Sequence, residues 1–298
     1  MRNLDWDGLR NLRDLGGLPT PLSSTGVTVS GRIARGPRRE LLTEAGWAAA
    51  TRWGLRSVVD LRSADEVGAR DADPDARPPA DLVITLAPTE DQADPEFREV
   101  CLPILDSPEY WQHNVRILPD LVRVALETVA TSEPGILVHC AAGRDRTGLI
   151  SALLLANAGV PDEAIVDDYA ASVRAMAGAA PHGGPTHDRQ ATWTAEQVDA
   201  FLDEVTPHVR AFVAAVDGVF DLLSLDEAVR VRLRRLLVGV TGSGSCKGRP
   251  ARVLPDRHPI PPAAITLGTG NPHPCRSSPS SSSSSSPSGR SSPSSGSC

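Results

Sequence analysis

Short apolar runs alternate with longer segments of helical periodicity over the first 240 residues. Three runs, "LRSVVDLRS", "DLVITLA" and "ILVHC", are rich in Val, Ile and Leu, which is typical of buried strands. Residues 27–29 and 32–35 predict two further short strands, separated by Gly31. Because strands that alternate with helices form mainly parallel sheets, the pattern predicts an α/β fold whose central, mainly parallel sheet is flanked by helices.

Helix signals separate these strands. Residues 42–53 are predicted as a helix, with Thr43 as its N-cap and Gly54 as its C-terminal stop. Residues 110–130 carry apolar positions at helical spacing, and Pro119 is expected to kink or restart that helix. Thr194 is the predicted cap of a further helix that continues through Phe212.

The chain changes character after residue 242. Residues 1–242 are predicted to form one domain, whereas residues 243–298 are rich in Pro, Gly and Ser and lack apolar periodicity. Such a segment buries too little apolar surface to offset its ordering entropy, so a disordered tail is predicted. Its possible metal ligands follow no trusted zinc spacing, and neither a metal nor a cofactor is predicted. These residues are Cys246, His258, His273, Cys275 and Cys298.

Composition narrows the class of protein. The formal net charge of −7 argues against general nucleic-acid binding. The chain has no apolar run long enough to span a bilayer, and its N-terminus lacks the apolar core of a signal peptide, so no stable membrane association is expected. Five cysteines, an odd number, argue against a disulfide framework. These features predict a cytoplasmic protein with reduced thiols.

The stretch "HCAAGRDRTG", residues 139–148, joins a predicted strand to a predicted helix. Cys140 ends the strand, and Gly143 permits a tight turn before the apolar helix. Successive loop N–H groups are therefore expected to converge on an anion at a helix N-terminus. Cys246 and Arg252 repeat the spacing of Cys140 and Arg146, but Pro250 lies between them and no strand precedes them. That second copy is therefore discounted.

These residue types suit phosphoryl transfer. A thiol beside a helix N-terminus and an arginine ionises readily, so Cys140 is the predicted nucleophile. The planar guanidinium of Arg146 fits two phosphate oxygens. His139 is expected to hold the loop by a hydrogen bond from its side chain to nearby backbone. Thr147 is expected to donate a hydrogen bond to the thiolate. A buried cysteine before an ordinary helix would explain neither Gly143 nor the loop's charges. The groups predicted to surround the phosphate are Ala141, Ala142, Gly143, Arg144, Asp145 and Arg146.

The loop resembles the signature of cysteine-dependent protein-tyrosine and dual-specificity phosphatases, in the version HCxxGKDRTG of a bacterial tyrosine-phosphatase family. "NLRDLGG" at residues 11–17 and "SVVDLRSADE" at residues 57–66 resemble two further motifs of that family in the same order. The resemblance spans roughly residues 10–240. It implies a protein-tyrosine-phosphatase-like fold and hydrolysis of phosphate monoesters, above all phosphotyrosine on proteins, through a phosphocysteine.

The resemblance leaves the general acid open among three aspartates. Asp145 lies in the signature loop, Asp106 lies 34 residues before Cys140, and Asp60 ends a neighbouring strand. Asp145 is the favoured candidate because a bound phosphate would raise the pKa of an adjacent carboxyl. Asp60 either faces the site or pairs with a nearby arginine, and pairing is favoured.

Three regions near the motifs carry further expectations. Asn11, Arg13 and Asp14 are expected to brace the loop or the pocket rim, or else to belong to a turn closed by two glycines. "GRIARGPRR", residues 31–39, either steers anionic substrates or is a solvated strand edge, and the strand edge is favoured. The Gly- and Pro-rich residues 175–193 are either a lid over the pocket, as the resemblance implies, or a flexible connector.

The substrate and two other functions stay open. Arg144 stands where the family usually has lysine, which keeps the charge but changes the shape at a position relevant to phosphoinositides. The expected partner is a phosphorylated protein or phospholipid, and a dual-specificity or phosphoinositide phosphatase is the alternative. An inactive phosphate-binding module and a sulfurtransferase are the alternatives from other classes.

Overall fold

The structure, a computed structural model of the chain, describes residues 2–178 and 192–239. One sheet contains β1 (Arg13–Asp14), β2 (Ile33–Gly36), β3 (Ser57–Asp60), β4 (Val83–Leu86) and β5 (Ile136–His139), in the order β1-β2-β5-β3-β4. β1 pairs antiparallel with β2, and the other neighbours pair parallel. The predicted α/β fold with a mainly parallel central sheet is confirmed.

Helices connect and cover these strands. In the described ranges they are α1 (Glu44–Trp53), α2 (Pro95–Val100), α3 (Tyr110–Ile117), α4 (Pro119–Thr131), α5 (Asp145–Asn157), α6 (Asp162–Met176), α7 (Ala195–Ala214), α8 (Val216–Leu222) and α9 (Glu227–Val238). None of the helices in these ranges has the length and apolar character needed to span a membrane.

Strands β2, β3 and β5 are buried on both faces, whose side chains alternate along each strand. On one face Ala34, Val58 and Leu137 join a small core with residues of α1. On the other face Ile33 and Val59 join the main core with α4, α5 and the helices that follow. Burial on both faces explains the continuous apolar runs of β3 and β5. The prediction that "DLVITLA" is a buried strand is wrong, because β4 lies at the edge of the sheet and leaves Val83, Ile84 and Leu86 exposed.

The predicted helix boundaries agree with local chemistry. Thr43 caps α1 by accepting a hydrogen bond from the Gly46 N–H, and Gly54 ends it in a left-handed conformation. Pro119 occupies the first turn of α4, so the predicted helix over residues 110–130 is two helices. Thr194 caps α7, which extends two residues beyond the predicted Phe212.

The prediction of a strand over residues 27–29 is wrong. Val27 forms only an isolated antiparallel bridge with Pro19. Gly26 and Gly31 both have positive φ, so the chain turns on either side of the segment. The predicted strand over residues 32–35 is present as β2, one residue further along.

The carboxyl ends of the parallel strands meet at one edge of the sheet. His139 of β5 pairs with Asp60 of β3 and with Gly36 of β2, and Leu86 of β4 pairs with Asp60. In such sheets this edge is where ligands bind. The predicted tail and most of the predicted lid lie outside the described residues; Ala175 and Met176 belong to α6.

Candidate active site

Cys140 lies directly beyond β5, at the start of the turn that leads into α5. Its side chain is buried, with the residue 3% exposed. Gly143 turns the chain with φ +70°, and a Cβ there would lie 2.4 Å from the carbonyl carbon of Gly36. The tight turn therefore tolerates no side chain at this position, in agreement with the role predicted for Gly143. α5 then begins at Asp145.

Arg146 lies in the first turn of α5 and is held by two glutamates. Its Nη2 donates to Glu66 Oε1 at 2.8 Å, and Nη1 donates to the other oxygen of the same carboxylate. Its Nε lies 3.6 Å from Glu90 Oε2. Burial alone would lower the pKa of Arg146, but Glu90, Glu66 and the nearby Cys140 raise it above the usual range. The guanidinium is therefore a fixed cation beside Cys140.

Neither glutamate was among the residues predicted for the site. Glu66 is the last residue of "SVVDLRSADE" and accepts from the Ser63 N–H in a capping box just beyond β3. Glu90 lies four residues beyond β4, in a polar segment. The signal that would have found both is their position after the carboxyl ends of parallel strands.

Asp145 is bound by the residue before it. Arg144 Nε lies 2.8 Å from each carboxylate oxygen of Asp145, and the Tyr169 hydroxyl donates to one of them at 3.3 Å. Arg144 Nη2 donates to the backbone carbonyl of Asp106, and its guanidinium lies 6.0 Å from the centre of the Phe201 ring. Arg144 is thus buried and its charge is neutralised by Asp145.

Asp60 is engaged by two arginines. Arg62 Nε and Nη2 donate to its two oxygens at 2.9 and 2.7 Å, and Arg39 donates at 2.5 Å. Burial alone would raise the pKa of Asp60, but Arg62, His139 and Arg39 hold it below its usual range. Of the two alternatives for Asp60, the structure shows the arginine pairing.

His139 is buried beneath the loop. Its Nδ1 lies 3.0 Å from the Cys140 carbonyl, where an N–H would donate, and its Nε2 lies 3.6 Å from Asp60 Oδ2. Burial lowers the pKa of His139 to about 4, so the ring is neutral at neutral pH. A neutral imidazole with its proton on Nδ1 fits the predicted contact with the backbone.

A buried network holds the loop from behind. Asn11 donates from its amide to the carbonyls of Ala142 and Gly143 at 3.0 and 3.1 Å. Arg35 donates to the Gly143 carbonyl at 2.7 Å and to Asp168 at 2.6 Å. Arg13 donates to Asp168 as well as to Asn11. These bonds hold the carbonyls of Ala142 and Gly143 on the side of the loop that faces Asn11 and Arg35.

One expectation about this region is wrong, and the structure distinguishes between the two alternatives for another. Arg35 is 1% exposed, so "GRIARGPRR" is not a solvated strand edge; its arginine reaches a buried carboxylate on α6. Asp14 accepts from the N–H groups of Gly16 and Gly31 and from the Trp53 indole. It therefore closes a turn, while Asn11 braces the loop.

A model of the tyrosine phosphatase family matches residues 4–239, most of the described chain. The chain belongs to this family. It is 29% identical over 188 residues to the triple specificity protein phosphatase PtpB of Mycobacterium tuberculosis, covering 54% of the chain and 66% of that protein. It is 34% identical over 141 residues to a tyrosine-protein phosphatase of Nostoc commune, covering 46% and 47%. The chain therefore spans less than two thirds of the length of these relatives.

A solved structure, P. aeruginosa TpbA, is similar at 16% identity with a TM-score of 0.30, over 62% of the chain and 88% of TpbA.

In this tyrosine phosphatase family member, most of the predicted site residues surround one loop. Cys140, Arg146 and the residues between them form the turn, with His139 below it. Arg38 donates from its backbone N–H to the Ala141 carbonyl at 3.0 Å. Thr147 is fully buried, and its hydroxyl makes no hydrogen bond among the described residues. Its predicted contact with the thiolate stays a prediction.

Proposed function

We propose that this chain is a protein-tyrosine phosphatase that hydrolyses phosphate monoesters through a phosphocysteine at Cys140. The observation that supports the proposal most is the turn from β5 into α5. There Cys140 lies within electrostatic range of the Arg146 guanidinium, at the carboxyl ends of the parallel strands, the edge of such sheets that usually binds ligands. Family membership and the names of both relatives support the same activity.

Each group has a task in the proposed reaction. The Cys140 thiolate attacks phosphorus, the bond from phosphorus to the ester oxygen breaks, and that oxygen leaves with a proton from an acid. Water then attacks the phosphocysteine, which releases inorganic phosphate and restores the thiolate. Arg146 and the loop N–H groups stabilise the negative charge on the equatorial oxygens in both steps.

The surroundings of Arg144 favour phosphotyrosine over phosphoinositides as the substrate. A second phosphate group needs a free cation at the pocket rim, but Arg144 is 3% exposed and bonded to both oxygens of Asp145. The mycobacterial relative is named a triple specificity phosphatase, so phosphoserine and phosphoinositide substrates belong in the same assay.

Phosphate release from a panel of phosphotyrosine and phosphoserine peptides and soluble phosphoinositides tests the proposal. We expect release from phosphotyrosine, loss of turnover in Cys140→Ser and Arg146→Lys, and normal turnover in Cys101→Ser and the exposed Arg210→Lys. A Cys140→Ser protein that keeps a tenth of the rate would overturn the cysteine mechanism. Thiocyanate formation from thiosulfate and cyanide would instead indicate a sulfurtransferase, and phosphate binding without turnover an inactive module.

A further inference from the structure

Tyr169 is a buried residue of α6 that contacts the signature loop. Its hydroxyl donates to Oδ1 of Asp145 at 3.3 Å, and the residue is 2% exposed. Burial and the charge of Asp145 raise the pKa of Tyr169 well above its usual value, so the hydroxyl keeps its proton at neutral pH. Tyr169 is therefore a hydrogen-bond donor to Asp145 throughout the range in which an assay would be run.

The residue before Tyr169 fastens α6 to the back of the same loop. Asp168 accepts from Arg35, and Arg35 also donates to the Gly143 carbonyl. Because Asp168 and Tyr169 are adjacent in α6, this ion pair also limits how far the Tyr169 ring can move relative to the loop.

Aromatic packing fixes the direction of the Tyr169 ring. Trp111 of α3 lies edge-on to it, with 5.4 Å between the ring centroids and 89° between the ring planes. Trp111 makes a similar contact with Phe212 of α7, at 5.5 Å. Aromatic pairs in this arrangement attract each other beyond the effect of their buried area. A rotation of the Tyr169 side chain would therefore disturb a stack that joins α3, α6 and α7.

Gly148 in α5 leaves the space that this stack needs. A Cβ at position 148 would lie 2.8 Å from Cζ2 of Trp111 and 3.2 Å from Cδ2 of Tyr169. Carbon atoms pack at about 3.5–4.0 Å, so a side chain there would push both rings away from the helix. The last glycine of "HCAAGRDRTG" thus allows Tyr169 to approach Asp145.

Arg144 by itself does not fix which oxygen of Asp145 faces the substrate. Its Nε lies 2.8 Å from both Oδ1 and Oδ2, so this contact treats the two oxygens alike. The bond from Tyr169 goes to Oδ1 alone and makes the two oxygens different. Oδ2 is thereby the oxygen that is left for a leaving group.

We propose that Tyr169 is a positioning residue, which orients the Asp145 carboxyl so that Oδ2 carries the proton of the reaction. As the bond between phosphorus and the ester oxygen breaks, Asp145 transfers its proton to that oxygen and becomes a carboxylate, which Tyr169 and Arg144 hold. The water that attacks the phosphocysteine gives a proton back to Asp145 while the bond between sulfur and phosphorus breaks. This inference rests on the proposed phosphatase function, with Asp145 as its acid.

Aryl phosphates with leaving groups of rising pKa test the proposal. Tyr169→Phe should lower kcat for phenyl phosphate by about 10-fold, a part of the roughly 100- to 10,000-fold that a general acid contributes, because the acid is displaced but not removed. It should hardly change kcat for nitrophenyl phosphate, since nitrophenolate leaves without a proton. Inorganic phosphate should inhibit the variant as it inhibits the wild type, because Arg146 and the loop remain.

A double-mutant cycle with Asp145→Asn separates positioning from a merely structural role. Asp145→Asn alone should steepen the dependence of kcat on leaving-group pKa. In that background Tyr169→Phe should add nothing to the dependence, because no proton is left to orient. Tyr110→Phe is the matched control: it removes the hydroxyl of the other tyrosine, which is fully buried on α3, and should leave the dependence unchanged.

Equal slowing of phenyl and nitrophenyl phosphate in Tyr169→Phe, or an additive effect in the Asp145→Asn background, would overturn the proposal. An unchanged dependence in Asp145→Asn would overturn it too, while the phosphatase function would stand. If Tyr169→Phe fails to fold, Gly148→Ala decides: it should displace the Tyr169 ring and steepen the dependence, and a wild-type dependence would count against Tyr169. Full activity in Cys140→Ser would instead refute the phosphatase mechanism itself.

Discussion

Asp168 on α6 is the centre of the network behind the loop, and removing its charge is predicted to destabilise the folded protein strongly. Its carboxylate accepts from Arg13, Arg35 and Arg2, of which Arg13 and Arg35 are buried. Asp168→Asn keeps the shape of the side chain but leaves these guanidiniums without a counter-charge. The burial and the mutual repulsion of Arg13 and Arg35 already lower the pKa of Arg35 to about 10, which shows how much the pair depends on Asp168.

The magnitude follows from the burial of this cluster. Breaking a buried ion pair by removing one partner costs about 3–5 kcal/mol. For a domain of this size, where about 1 kcal/mol shifts Tm by about 2–4 °C, the expected fall in Tm is about 6–20 °C. Because the lost charge also releases Arg35, which holds the Gly143 carbonyl, activity should fall even in the fraction that stays folded.

Urea unfolding at several pH values is the assay. Burial would raise the pKa of Asp168, but its three arginines hold it well below its usual range. Its contribution is therefore present above about pH 4, the pKa of an aspartate in the unfolded chain, and is lost as the pH falls towards the folded value. Glu163→Gln, which removes an exposed pair with Arg210, is the control and should not change the midpoint. A free energy of unfolding for Asp168→Asn that lies within about 1 kcal/mol of the wild-type value would refute the reasoning.

Three further predictions concern other groups. The wild type should lose about 3 kcal/mol of stability as the pH falls from about 6.5 to about 4, because His139 takes up a proton at a higher pH in the unfolded chain than in the folded one. In urea titrations His139→Asn should flatten this pH dependence, and His208→Asn should not. Iodoacetate at neutral pH should label Cys140 before Cys101, whose pKa burial raises to about 11, with phosphate protecting Cys140; equal labelling in peptide maps would contradict this. A chain truncated after residue 242 should unfold cooperatively and keep its kcat, because the family match and both cores end before that point.

The fold was largely predictable because its signals are local. Strands β3 and β5 are continuous apolar runs, and Thr43, Pro119 and Thr194 mark helix starts through contacts within a few residues. Residues 27–29 failed as a strand because three residues between two turns carry too little periodicity.

The partners of the charged residues were not predictable, because they depend on contacts between distant parts of the chain. Arg146 meets Glu66 across 80 residues, and Arg35 meets Asp168 across 133. A charged residue in a sequence is expected to be exposed to solvent, and only the folded chain shows that Arg35 is buried against a counter-charge. Glu90 was overlooked for the same reason: it lies in a polar segment whose nearness to the loop depends on how β4 pairs with β3.

The central claim is that Cys140 carries the phosphoryl group during turnover. Rapid acid quenching of the full chain during hydrolysis of nitrophenyl phosphate, followed by mass spectrometry of its peptides, measures this directly. The account predicts one added phosphoryl group on the peptide that contains Cys140 in the wild type and none in Cys140→Ser. Phosphate release by the wild type with no phosphoryl group on Cys140 at any quench time would contradict the account.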